Sequence, residues 1–354
     1  MSSPQEKAEF KAEVVSQKNP FTTIPPQPAE KKPGQLPPDK IRQFFDEGYT
    51  VVEEFFTAAE LQQCRDAIAE MVDSLAQKLY DAGKIKHLYE EYGLFQRLSQ
   101  LEEDFHGANI ILFKRQKMPK AFQDIWCNER VLNLMEQLIG PDIAGHPVWN
   151  LRTKTPRSTA VDIPWHQDSA YFSEDSYDHL IPTMWLPFLD AVPENGCMQV
   201  AKNGHKSGNV AVHTCCKGPT WYVMLEEEEM QKTLGIDPEK DILTVPIKYG
   251  GFLLFNNLTP HRSLQNNSND VRWSIDLRWQ SPHDKWGFYD IAEGIVFRSS
   301  KDPYIKPDWD KFLSAQVEDP FDTTITGPWI GRWEIVNHNI HTEAFRNITG
   351  VVST

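Results

Sequence analysis

From His146 onward the chain breaks into short apolar runs: Val148–Lys154, Trp165–Asp168, Thr183–Leu189, Met198–Ala201, Ile242–Ile247, Gly251–Phe255 and Arg272–Trp279. Turn-forming clusters separate them, among them Pro193-Glu194-Asn195-Gly196, Lys202-Asn203-Gly204, Gly250-Gly251 and Asn266-Asn267-Ser268-Asn269-Asp270. Runs this short and this close together suit strands joined by tight connections, which favours antiparallel pairing over helical crossovers. The stretch before His146 has the opposite texture, with apolar residues at helical spacing. Helices first and many short strands after predict an α+β fold with a mainly β core, flanked by N-terminal helices. A jelly roll or a closed double sheet suits the strand count.

The helical part can be read in more detail. Residues 1–38 are rich in Lys, Glu and Pro and read as a flexible N-terminal arm. Asp39 opens a short helix through Ile41, Phe44 and Phe45, Gly48 ends it, and Tyr49–Val52 reads as a strand. Thr57 with Glu60 makes a capping box for a long helix that turns Leu61, Cys64, Ile68, Met71, Val72 and Leu75 to one side. Ala108–Phe113 fits a strand, and one helix is predicted over Lys120–Ile139. The whole of 39–354 is expected to be one domain. A helical buttress spans about 39–145, the β core about 146–282, and a covering extension 283–354. A short helix is expected near Glu226–Gln231.

Length and charge bound the function. At 354 residues the chain can bury a large core. A net charge of −14, from 36 basic and 50 acidic residues, argues against nucleic acid and against an anionic membrane surface as partners. No run reaches the ~18 apolar residues of a spanning helix. The five cysteines are odd in number and scattered without a CxxC, which suits reduced thiols in a cytoplasmic protein.

The chemistry is concentrated at Trp165-His166-Gln167-Asp168. An imidazole and a carboxylate at i and i+2 leave a strand on the same face, so both can reach one ion. Eleven histidines would supply about one such pair by accident. A distant histidine would complete a two-histidine, one-carboxylate triad, the ligand set of non-haem Fe(II). Thr259-Pro260-His261-Arg262-Ser263 follows the run Gly251–Phe255, and eleven residues after His261 stands Arg272. A planar guanidinium there could grip a carboxylate through two parallel hydrogen bonds, with the Ser263 hydroxyl adding one more.

Together these segments resemble the phytanoyl-CoA dioxygenase family of Fe(II)/2-oxoglutarate-dependent oxygenases. They are Trp165-His166-Gln167-Asp168, Glu194-Asn195-Gly196-Cys197 running to Gly204-His205-Lys206-Ser207-Gly208, and His261-x-Ser263 with Arg272. The opening Phe44–Val52 resembles the family's start, and the likeness covers roughly residues 40–285. It implies a double-stranded β-helix (jelly-roll) core and His166, Asp168 and His261 as iron ligands. It places Arg272 and Ser263 on the 5-carboxylate of 2-oxoglutarate, with Trp185 and Asn150 facing the co-substrate. The segment Lys154-Thr155-Pro156 after Asn150 departs from the family's Lys-Pro-Pro. The implied reaction consumes O2 and 2-oxoglutarate, releases succinate and CO2, and hydroxylates a C–H of a small-molecule substrate. No catalytic residue beyond the metal ligands is implied. Related halogenases usually carry a small residue where Asp168 stands, so the likeness points away from halogenation.

Other readings stand beside these. Gln167, Arg278 and Trp279 are candidate substrate contacts, Arg278 because it shares a strand face with Arg272, although strand packing explains each as well. His338 and His341 have the spacing of a metal pair without a partner set beside them and read as a polar loop. The alternative function is a non-catalytic jelly-roll protein that keeps the pocket to bind a ligand or metal.

Overall fold

A computed structural model of the protein describes residues 19–114 and 117–316, together with 321, 323 and 325. Helix α1 (Pro38–Glu47) begins with proline, whose missing N–H would have had no partner there anyway, and buries Ile41, Phe44 and Phe45. Gly48 stops it with φ 88°, and a Cβ there would lie 2.4 Å from the Thr259 hydroxyl. Strand β1 (Tyr49–Val52) follows. The Thr57–Glu60 capping box then opens α2 (Ala58–Asp81), which buries the expected face.

Next come α3 (Arg97–Asp104) and α4 (Ala108–Lys114). The predicted strand at Ala108–Phe113 is therefore a helix. The Glu102 carboxylate accepts from the backbone N–H groups of Gly107 and Asn109, at 2.9 and 3.0 Å, satisfying donors that a helix start leaves open. The single helix predicted over Lys120–Ile139 is two, α5 (Lys120–Trp126) and α6 (Glu129–Ile139). Asn128 breaks it by capping α6, accepting from Arg130 N–H at 3.0 Å.

The strands after α6 are β2 (Ile143–Gly145), β3 (Asn150–Lys154), β4 (Thr183–Pro187), β5 (Met198–Ala201), β6 (Thr214–Lys217) and β7 (Tyr222–Met224). Helices α7 (Glu227–Leu234) and α8 (Pro238–Asp241) precede β8 (Ile242–Val245), β9 (Phe252–Phe255), β10 (His261–Ser263) and β11 (Arg272–Gln280). Strand β12 (Ile295–Arg298) and α9 (Trp309–Ser314) follow. The large antiparallel sheet runs β1-β9-β4-β11-β2-β12, with β3 also paired to β11, and a second sheet runs β10-β5-β8. These sheets with their flanking helices form the expected α+β jelly roll.

Strand β11 is the centre of the molecule, buried at all nine positions. Its odd-numbered residues Trp273, Ile275, Leu277 and Trp279 join the helix-side core with Phe44, Leu61, Trp126 and Leu134. By strand alternation Arg272, Ser274, Asp276 and Arg278 face the other way. One strand thus seals the helical layer and aims a polar row into the interior of the roll.

The arm expected to be flexible is docked where it is described. From residue 19 the arm lies on α6: Phe21 and Leu36 are buried, Gln137 accepts from Leu36 N–H at 2.7 Å, and Asn133 donates to Pro33 O at 2.9 Å. Polar α6 side chains bond the arm's backbone, which explains how a proline-rich segment stays fixed. In the extension, β12 adds to the sheet, and Phe297 and Phe312 stack edgewise on Trp126 at 5.1 and 5.4 Å. His338 and His341 lie outside the described residues. Cys64, Cys127 and Cys197 are free, whereas Cys215 departs from the expectation of reduced thiols and is disulfide-bonded.

Candidate metal centre and co-substrate cavity

The run Trp165–Asp168, expected as a strand, contributes only a bridge. His166 and His261 exchange backbone hydrogen bonds, N–H to O at 3.1 and 2.9 Å, and the chain then turns into a 3-10 helix at Asp168. That single bridge sets the site, because it holds the two imidazoles with ring centroids 4.2 Å apart. His166, Asp168 and His261 are each buried, and one ligand atom from each lies within 4.8 Å of the others.

The donor set fits a metal. Nδ1 of His166 lies 2.8 Å from Pro164 O, and Nδ1 of His261 lies 3.0 Å from Thr259 O. Each Nδ1 therefore carries the proton and each Nε2 presents its lone pair. Both Nε2 atoms face Asp168 Oδ1, at 3.6 and 3.7 Å. Burial pushes His261 down to about 3, with His166 adding to the effect, so its ring stays neutral. For Asp168 burial works against the charge, but the Arg278 guanidinium and the imidazoles hold its carboxyl well below the usual range.

Arg278 is thus placed on the carboxylate of the candidate triad rather than left free for substrate. Its Nε donates to Asp168 Oδ2 at 2.9 Å and its Nη2 to Oδ1 at 3.0 Å, while the Thr183 hydroxyl donates to Oδ2 at 2.9 Å. Oδ2 accepts from two protein donors and Oδ1 from one, and Oδ1 is the oxygen that also faces the imidazoles. Arg278→Met is expected to destabilise the metal-free protein by about 3–5 kcal/mol, since it strands a buried carboxylate. Divalent metal supplies the missing positive charge, so Co(II) should raise the melting temperature of the variant more than that of the parent. Equal shifts would show that Arg278 does not act through Asp168.

Beyond His166 the cavity has two adjoining lobes. Arg272, Ser263 and Trp185 line one, and Asn150 lines the other beside Asp168 and Arg278. Arg272 is 2 % exposed, and its guanidinium lies 5.0 Å from the Trp185 ring centroid. It donates to the Ser274 hydroxyl, whereas its Nε has no partner. Burial lowers it to about 10, which leaves it charged. A buried, charged and incompletely bonded guanidinium beside a metal triad fits a co-substrate carboxylate.

The other two expected substrate contacts point elsewhere. The Gln167 amide donates to Asn209 O and Leu258 O at 3.0 and 2.8 Å, and its oxygen accepts from Ala211 N–H at 2.8 Å, so it ties three loops together. Trp279 sits in the helix-side core and donates to Trp126 O at 3.1 Å. The odd-numbered face of β11 is the packing face, which is why Trp279 cannot share the cavity with Arg278. Thr183, which bonds Asp168, and Lys154, which lines the cavity, are residues to which the sequence reading gave no role. The KxP segment marked Lys154, but nothing marked its burial.

The family profile described as phytanoyl-CoA dioxygenase (PhyH) matches residues 44–274. The chain belongs to that family. It is accordingly a non-haem iron, 2-oxoglutarate-dependent dioxygenase whose cofactors are Fe(II), 2-oxoglutarate and O2. Among curated relatives, the probable alpha-ketoglutarate-dependent hypophosphite dioxygenase of Stutzerimonas stutzeri is 27% identical over 254 residues, covering 70% of this chain and 79% of the relative. Two solved structures share the fold. The apo form of the non-haem monooxygenase ThoJ matches with TM-score 0.51 at 16% identity, over 77% of this chain and 93% of that one. EctD from S. alaskensis with 2-oxoglutarate and 5-hydroxyectoine matches with TM-score 0.50 at 17% identity, over 88% and 94%. At these identities the likeness concerns the fold. Among the described residues no helix is long and apolar enough to cross a membrane.

Proposed function

We propose that this member of the phytanoyl-CoA dioxygenase family hydroxylates an aliphatic C–H of a small organic substrate, with 2-oxoglutarate and O2 consumed to succinate and CO2. His166, Asp168 and His261 hold the iron, and Arg272 with Ser263 holds the 5-carboxylate of 2-oxoglutarate. Bound iron and 2-oxoglutarate supply the activation of O2. The protein's own residues orient and exclude. Pro164 O and Thr259 O fix the two imidazoles, Arg278 and Thr183 fix the carboxylate, and Trp185 backs the Arg272 guanidinium.

The observation that carries this reading is the pairing of a buried triad with a buried guanidinium lacking a partner at Nε, in one cavity. The lobe lined by Asn150, Asp168 and Arg278 is assigned to the substrate, since Arg272 and Ser263 do not line it, and this reading moves Asn150 from the co-substrate, where the resemblance put it, to the substrate side. Purified protein supplied with Fe(II), ascorbate, O2 and 2-oxoglutarate is expected to form succinate slowly without substrate and faster with the right one. No succinate across broad mixtures of small organic compounds would instead support a pocket kept for binding alone.

A further inference from the structure

The lobe that holds Arg272 contains a second buried cation. Lys154 is 1 % exposed and stands directly opposite Arg272 in the β3–β11 ladder. Directly opposed like charges destabilise a sheet, and more so away from water. Lys154 reaches this position through a gap: a Cβ on Gly196, whose φ is 83°, would lie 2.7 Å from the lysine Cε. The Lys154 ammonium donates to Asp162 Oδ1, to Val161 O at 3.3 Å and to the Ser263 hydroxyl oxygen at 3.0 Å.

Two features make this an anion site rather than a packed ion cluster. The first is charge. Arg152, Lys154 and Arg272 meet two carboxylates, Asp162 and Asp276, so this corner of the cavity is one negative charge short. The second is the direction of the Ser263 proton. The Ser263 oxygen accepts from Lys154 Nζ and also from Ile163 N–H at 3.3 Å. With both lone pairs engaged, the hydroxyl hydrogen is the part left to bond a further acceptor. Burial, with Arg272 opposite, lowers Lys154 to about 8, against the pull of Asp162, so it remains largely charged at neutral pH.

We infer that Lys154 is a positioning residue for the co-substrate, acting as the second cation of the 5-carboxylate subsite and turning the Ser263 hydroxyl toward that carboxylate as a donor. This rests on the assignment of Arg272 to 2-oxoglutarate above. The consequence is a selective one: Lys154 matters for 2-oxo acids that carry a distal carboxylate and not for those that lack it.

The test is anaerobic titration calorimetry of the Fe(II)-loaded protein with 2-oxoglutarate and with 2-oxobutyrate. Lys154→Gln drops the charge while keeping a donor for Asp162 and Ser263, and Lys154→Met serves as a second variant should the first fold poorly. Either variant is expected to weaken 2-oxoglutarate about tenfold, through loss of the neighbouring buried positive charge and of the Ser263 orientation it sets, and to leave 2-oxobutyrate unchanged. The effect should shrink in a Ser263→Ala background, because the two residues act on the same carboxylate. Equal weakening of both acids, or no weakening of either, would overturn the role of Lys154. If 2-oxoglutarate binding is lost in Arg272→Ala but kept in the Lys154 variants, only this inference fails. If the parent protein binds no 2-oxoglutarate, the functional reading fails with it.

Discussion

Asp168→Ala is expected to abolish iron-dependent turnover and stoichiometric iron retention together. Asp168 is the anionic member of the triad, and its removal leaves two imidazoles beside an unpaired buried guanidinium. Arg278 then repels the cation that the site should hold. The same geometry predicts a cost to the fold, since breaking a buried ion pair by removing one partner costs about 3–5 kcal/mol. Loss of iron and loss of stability can be separated. The double variant Asp168→Ala/Arg278→Met removes both charges and should recover most of the stability, as read by thermal denaturation, while still failing to retain iron. Turnover retained in Asp168→Ala with bound iron would contradict the assignment.

Arg272→Ala should raise the 2-oxoglutarate requirement by about two to three decades or more, the equivalent of about 3–5 kcal/mol for a buried charge pair broken on one side. The fold should tolerate this change better than the first. Arg272 faces Lys154 across the ladder and lacks a partner at Nε, so its removal relieves a like-charge contact in the ligand-free protein. The expected signature is a large increase in KM for 2-oxoglutarate with an unchanged or raised melting temperature. An unchanged KM would mean that the guanidinium does not meet the co-substrate.

Much of the architecture was legible because its signals are local. The Thr57–Glu60 capping box and the alternation along Arg272–Trp279 each depend on residues close in sequence. The failures share a cause. Ala108–Phe113 is apolar throughout, and periodicity cannot separate a short buried strand from a buried helix. The Glu102 carboxylate, which bonds the N–H groups at the start of α4, decided it. The arm read as flexible because its own composition buries little. Its partners, Asn133 and Gln137, lie about a hundred residues away.

The site divides in the same way. The spacing from His166 to Asp168 and from His261 to Arg272 could be read from the chain, as could the shared face of Arg272 and Arg278. What Arg278 touches could not, because that depends on Asp168 arriving from another segment through the His166–His261 bridge. Lys154 was hidden for the same reason: its neighbour across the ladder is 118 positions away in sequence.

The central claim is that one cavity holds Fe(II) on His166, Asp168 and His261 with 2-oxoglutarate anchored at Arg272. Anaerobic titration of the Fe(II)-loaded protein with 2-oxoglutarate, followed by visible absorption, addresses it directly. Chelation of the iron by the 2-oxo acid should produce a metal-to-ligand charge-transfer band that saturates at one equivalent. The band should be absent in Asp168→Ala and should need far more 2-oxoglutarate in Arg272→Ala. No band in the parent protein, or an undiminished band in Asp168→Ala, would contradict the account.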